Sequence, residues 1–184
     1  MKTGILIVLA VGALALLALL YHHHRRAASS GPVVHVRNQF EFTVHAPYAV
    51  VAPLFGADKE RAWAGSHWNP HFLYPQPGQD IRGAVFTIHH GHRQAYWINT
   101  SFDMDGRHIQ YVYVIPEAMA VLIDVRFSEP DPANTKVNVA YERTALNPEA
   151  NQHVRELGDS DRESGEEWNT AIQDCLAKQP GVAR

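Results

Sequence analysis

Between Ile81 and Ala145 the chain alternates short strand-like runs with turn residues, and this alternation constrains the fold more than any other feature. The runs are 81–90, 93–103, 107–115, 119–129 and 135–145, rich in Val, Ile, Tyr, Phe and Thr at period two. The breaks between them are "HGHR" (90–93), "DMDG" (103–106), "PE" (116–117) and the longer "EPDPAN" (129–134). Breaks this short join strands only as hairpins, because a parallel crossover needs a dozen residues or more. One antiparallel meander is therefore expected.

Two further strands are expected upstream. "VHVRNQFEFTVHA" (34–46) alternates apolar and polar residues, and 67–74 follows a helical stretch and precedes the loop "PQPG" (75–78). Between them, "APYAVVAPLFG" and "ADKERAWAG" predict two short helices. Gly56 and Gly65 end them, and Pro53 marks a kink or an end within the first. After the meander, Asn147 and Pro148 open a helix as cap and first helical residue. Its apolar positions are Ala150, Val154 and Leu157, then Trp168, Ala171, Ile172, Cys175 and Leu176. Ser160 and Glu163 have capping-box spacing, which predicts a break at Gly158 and a restart at Ser160.

The order is thus β–α–α–β6–α, an α+β architecture of seven antiparallel strands curved around a long C-terminal helix. That order, with "TVHAP…VVAPLF" near its start, "YERTALNPE" opening the last helix and "EEWNTAIQDCL" closing it, resembles the SRPBCC superfamily. This START-like, helix-grip group includes the polyketide cyclase/dehydrase type. The resemblance covers about residues 35–178. It implies a cavity between sheet and last helix that holds apolar or amphipathic molecules, in binding proteins and enzymes alike.

Candidate ligand-binding residues are drawn from the side chains that would surround such a cavity. The aromatic set is Trp63, Trp68, Phe86, Trp97, Tyr111, Tyr113 and Trp168; core packing is the competing role for each. "SHWNPHFLYP" (66–75) adds His67 and His71 near the cavity mouth. Pro70 between them favours extended backbone, which sets these two histidines roughly 13 Å apart, too far to share one ion. Arg143 breaks the alternation of its run, with the parity of Val137, Val139 and Tyr141, and sits near a strand end, where it either reaches solvent or anchors an anionic ligand group. Asp161, Ser164 and Gly165 are small or polar on the helix's inner stripe, where they leave room beneath it or form a solvated break. Asp124, Arg126 and Glu142 have outward parity and read as cross-strand pairs.

His89, His90 and His92 crowd one turn, yet alternation separates them. A two-residue turn at Gly91–His92 pairs His90 with Arg93, Ile88 with Ala95 and Phe86 with Trp97. His90 then continues the core face at the rim, and His89 lies opposite. No metal site is expected, and no cofactor. The single Cys175 excludes an intramolecular disulfide and reads as a small core residue. No nucleophile elbow, zinc-protease motif, P-loop or dinucleotide fingerprint occurs. A net charge of −3 gives no basic excess for nucleic acid.

The N-terminus stands apart. Gly4 to Tyr21 carries no charge, and at about 1.5 Å per residue it spans roughly 27 Å, near the hydrocarbon thickness of a bilayer. "HHHRR" (22–26) follows before any cleavage-type site, which favours a retained single-pass anchor over a cleaved signal sequence. Arg25 and Arg26 against Lys2 lean toward a cytoplasmic domain; a cleaved segment would make the protein secreted or periplasmic. The expected organisation is an anchor or signal at 1–26, a linker at 27–33, a START-like domain at 34–178 and a tail at 179–184.

Three functions follow as expectations. The first is a membrane-anchored domain, held through residues 4–21, that binds a hydrophobic or amphipathic small molecule or lipid. The second is a cyclase/dehydratase-type enzyme using His67, His71, His90, Tyr111, Tyr113 or Asp161 as acid–base groups. The third is a non-catalytic partner-binding module at the membrane.

Overall fold

The computed structural model describes residues 31–178, so the apolar segment 4–21 and the tail 179–184 lie outside the described residues. The expected meander is present. Strands β1 (His35–Val44), β2 (His71–Tyr74), β3 (Val85–His90), β4 (Arg93–Asp103), β5 (His108–Ile115), β6 (Met119–Asp131) and β7 (Asn134–Ala145) form one sheet. Its order is β1-β7-β6-β5-β4-β3-β2, and every neighbouring pair is antiparallel. The turn at Gly91 and His92 sets the anticipated register, His90 opposite Arg93 and Phe86 opposite Trp97. Gly91 holds φ +61°, a conformation glycine adopts without Cβ strain. Irregularities in pairing at Asn99/Ser101 and Ser128/Asp131 interrupt the ladder and help the sheet curl.

Before β2, the chain makes α1 (Tyr48–Val51), a 3-10 turn at Ala52–Leu54 and a second 3-10 turn at Lys59–Ala62. The change from α to 3-10 geometry comes at Ala52, beside Pro53. After β7, Asn147 caps a 3-10 turn at Pro148–Ala150 by accepting the Ala150 N–H at 3.0 Å. Two helices follow, α2 (Asn151–Asp161) and α3 (Ser164–Ala177). Val154, Ile172, Cys175 and Leu176 are their buried apolar residues.

Four boundaries differ from the sequence reading, each for a local reason. Residues 67–70 are a turn, not strand: Trp68 N–H bonds to Gly65 O, Asn69 N–H bonds to His67 O, and Pro70 has no N–H to give. Residues 81–84 form a turn closed by Ala84 N–H to Ile81 O, with Gly83 at φ +83°. The "EPDPAN" segment is a tight hairpin instead of a long loop, because the Asp131 carboxylate accepts from Ala133 N–H and Asn134 Nδ2 and pins the reversal. The helix continues through Gly158 and breaks at Arg162–Glu163. Gly158 is there for close packing: a Cβ would stand 2.9 Å from Val36 Cγ2 on β1.

The outward charges behave as expected. Asp124 Oδ2 meets His108 Nε2 at 2.7 Å across the β5–β6 pair, and Glu142 meets Arg37 at 3.5 Å across β1–β7.

Candidate functional site

The 3-10 turn at Lys59–Ala62 is held by contacts from distant parts of the chain. Asp80 accepts from Ala57 N–H at 2.7 Å and from Asp58 N–H at 3.1 Å. Gly56 at φ +112° lets Asp80 approach; a Cβ there would lie 2.5 Å from Asp80 Oδ2. Trp63 Nε1 donates to Leu54 O at 2.7 Å, and Trp68 Nε1 donates to Ala57 O at 2.9 Å. These bonds lock both indoles against the turn, so their faces line what lies beneath.

Beneath them is a cavity of about 490 Å³. Its walls come from the 60–68 segment, from the inner faces of β3 to β7, and from Glu167, Trp168 and Ala171 of α3. All four tryptophans of the chain line it: Trp63, Trp68, Trp97 and Trp168. Trp97 and Tyr113 stack at 4.2 Å between ring centroids, and Trp63 meets Trp168 edge-on at 5.3 Å. Each such pair is worth about 0.5–1.5 kcal/mol beyond its buried area, so the walls are stiff. His90 stacks on Tyr113 at 6.0 Å at the rim. Burial of its ring first, then the charges of His67 and Arg143, lower its pKa and favour neutral imidazole.

Glu60 also lines the cavity and is 5% exposed. Its Oε1 accepts from Gly56 N–H at 3.1 Å and Tyr111 O–H at 2.9 Å. No cation is paired with it among the described residues. Burial pushes its carboxyl up to about 8, which the two hydrogen bonds only partly oppose. It is therefore largely protonated at neutral pH. Burial and the Glu60 carboxyl raise Tyr111 well above the ordinary phenol range.

Arg143 provides the other polar feature. Its Nε and Nη2 grip Asp161 at 2.8 and 2.5 Å, and Nη1 donates to Tyr113 Oη at 2.8 Å. Burial alone would lower its pKa, but the Asp161 bonds and neighbouring charges outweigh it, and the guanidinium stays charged. Both partners are buried, so removing one strands the other.

Of the residues singled out from sequence, Trp63, His67, Trp68, His90, Trp97, Tyr113, Arg143 and Trp168 line the cavity. The others stand elsewhere. His71 is exposed at the start of β2 opposite Thr87, because the strand begins there and turns it outward. Phe86 is fully buried between Phe72 and Trp97 and belongs to the core. Tyr111 is buried behind Glu60, and Asp161 behind Arg143. Gly165 leaves no room beneath the helix: a Cβ there would lie 3.3 Å from the Phe40 ring, so it serves helix–strand contact. Sequence reasoning missed Glu60, reading "ADKERAWAG" only as a short helix; Ala57, Glu60 and Ala64 at helical spacing were the available signal. It also missed Tyr141, whose ring lies under the Arg143 guanidinium at 4.5 Å. Among the described residues no His, Cys, Asp and Glu side chains converge as a metal set.

No protein-family model matches the sequence, and no curated protein does. The likeness is in the fold. Norcoclaurine synthase from Thalictrum flavum superposes with a TM-score of 0.59 at 10% identity, over 80% of this chain and 89% of that one. A protein from Rhizobium leguminosarum gives 0.56 at 16% identity, over 80% and 98%. Ara h 8.0201 gives 0.54 at 14% identity, over 79% and 100%. The seven-stranded curved sheet, the C-terminal helices and these superpositions together give the chain a helix-grip, Bet v 1-like fold.

Proposed function

We propose that this chain binds a hydrophobic or amphipathic small molecule between the curved sheet and α3. The observation that carries the reading is the cavity of about 490 Å³ lined by all four tryptophans and by a few buried polar groups. Such a volume and such a lining suit a small ligand. An aromatic molecule that buries about 200 Å² of apolar surface gains roughly 5 kcal/mol, before the entropy lost on association. The partner-module reading has less support, because a cavity rather than a broad apolar surface dominates the domain.

Two experiments test it. Organic extraction of the purified full chain, followed by mass spectrometry, identifies a co-purifying small molecule. Tryptophan emission follows added aromatic probes, and every indole in the chain reports from the cavity wall. A chain that purifies empty and whose emission ignores every aromatic probe would refute the reading.

Acid–base catalysis is a second reading, favoured by the protonated Glu60 carboxyl in the wall. Deuterium wash-in beside the carbonyl of a bound aryl ketone, followed by NMR, would support it if the exchange disappears in Glu60→Gln.

Residues 4–21 hold the domain at a membrane in this proposal, although among the described residues no helix is long and apolar enough to cross one. Alkaline carbonate extraction of membranes distinguishes an integral anchor from a cleaved segment. Release into the soluble fraction, with a mature N-terminus beyond residue 26, would contradict retention.

A further inference from the structure

The hydrogen bonds around the cavity do not balance. Glu60 Oε1 already accepts two hydrogens, from Gly56 N–H and Tyr111 O–H. That oxygen has the carbonyl role, so the proton of the neutral carboxyl sits on Oε2. Oε2 makes no hydrogen bond among the described residues. Tyr113 repeats the pattern. Its oxygen accepts from Arg143 Nη1 at 2.8 Å, and its own proton finds no acceptor among the described residues. Glu60 and Tyr113 thus each hold a hydrogen at the cavity wall with no acceptor among the described residues. The neutral His90 ring carries one donor and one acceptor and leaves this imbalance unchanged. A buried donor without an acceptor is costly, and a ligand oxygen can remove that cost.

Charge narrows the ligand further. The Arg143 guanidinium is neutralised by Asp161, and Glu167 on the rim is negative. Among the residues that line the cavity, no Lys or Arg other than this paired Arg143 awaits an anionic ligand. We propose that the cavity selects a neutral aromatic molecule bearing a carbonyl-type oxygen, which accepts hydrogen bonds from the Glu60 carboxyl and the Tyr113 hydroxyl. This rests on the ligand-binding reading above and adds the class of ligand.

The test uses three probes of nearly one shape: 2-acetylnaphthalene, its alkene isostere 2-isopropenylnaphthalene, and the anion 2-naphthoate. Isothermal titration calorimetry is run on the full chain in one detergent, so that partitioning into micelles is common to every variant. The ketone is expected to bind about tenfold or more tightly than the alkene, which cannot accept, and than the naphthoate, whose charge meets only an Arg143 already paired with Asp161. In Glu60→Gln the side-chain NH₂ replaces the Oε2 hydroxyl, and the preference is expected to persist. In Glu60→Met it is expected to fall about fivefold or more.

Raising pH through the Glu60 titration should erode the ketone preference in the wild-type chain and leave it intact in Glu60→Gln. Tyr111 on β5, Asp80 on its loop, His67 and His90 at the mouth, Tyr113, Tyr141 and Arg143 on the sheet and Glu167 on α3 also surround Glu60. The Gln variant keeps all of them and isolates the one group. Equal binding of ketone and alkene by the wild-type chain would overturn the inference while leaving the ligand-binding reading standing. Tightest binding of the naphthoate would overturn it as well. Binding of none of the three would overturn both. The wild-type series decides the matter even if a variant fails to fold.

Discussion

Replacing Asp161 by Asn tests the buried ion pair that supports the cavity wall. The Arg143 guanidinium is 6% exposed and makes two bonds to the Asp161 carboxylate, at 2.8 and 2.5 Å. Asn is nearly isosteric, so the change removes charge with little change of volume. The guanidinium then remains buried, with one neutral amide oxygen in place of the carboxylate and one N–H facing the amide NH₂. Removing one member of a buried pair costs about 3–5 kcal/mol, because the other charge is left uncompensated. For a domain of this size each kcal/mol moves Tm by about 2–4 °C. A drop of roughly 6–20 °C is expected in thermal melts followed by circular dichroism. Arg143→Met combined with Asp161→Leu should recover much of that loss, since an apolar pair strands no charge. A cost below about 1 kcal/mol for Asp161→Asn, the range of solvent-exposed pairs, would refute the reasoning.

Other expectations are narrower. Glu60 titrates at about 8 when folded and near 4.5 when unfolded, so the folded state binds the extra proton between those values. Stability should be greatest below pH 4.5 as far as this group is concerned, and should fall by several kcal/mol as pH rises through 8. Glu60→Gln should flatten that slope in urea melts at pH 5, 7 and 9. Gly158→Leu should destabilise the domain by about 1–3 kcal/mol, as its Cβ would already crowd Val36 and Asn38; an unchanged urea midpoint would mean α2 sits further from β1. Ala171→Phe should fill the cavity from α3 and abolish probe binding while Tm holds or rises; retained binding would place the ligand elsewhere.

The meander was legible because its turn chemistry is local. Gly91, the Asp103–Gly106 run and Pro116–Glu117 each reverse the chain within a few residues, and alternation then assigns the faces. The parity of Arg143 matched the inward residues of β7 but left solvent or an anionic ligand as its partner; the actual partner Asp161 lies on another element, and no local pattern announces that pairing. The 3-10 turn that presents Glu60 was less legible. Lys59 and Arg61 flank it and give the segment the charge pattern of a solvated helix, while its anchor is the Asp80 carboxylate, more than 20 residues away. The helix break was misplaced for a similar reason. Gly158 reads as a helix breaker, yet the close approach of β1 is what requires it. The fold thus followed from periodicity, whereas the polar chemistry of the cavity depended on contacts between distant segments.

Glu60 protonation is most directly measured by a pH titration of its side-chain carboxyl carbon, labelled with ¹³C and assigned by comparison with Glu60→Gln. A midpoint near 8 is expected, with the carboxyl neutral at pH 7 and able to donate into the cavity. A midpoint between 4 and 5, the ordinary range for a solvated glutamate, would mean that the group is ionised there, and the donor-lined cavity inferred from it would be wrong.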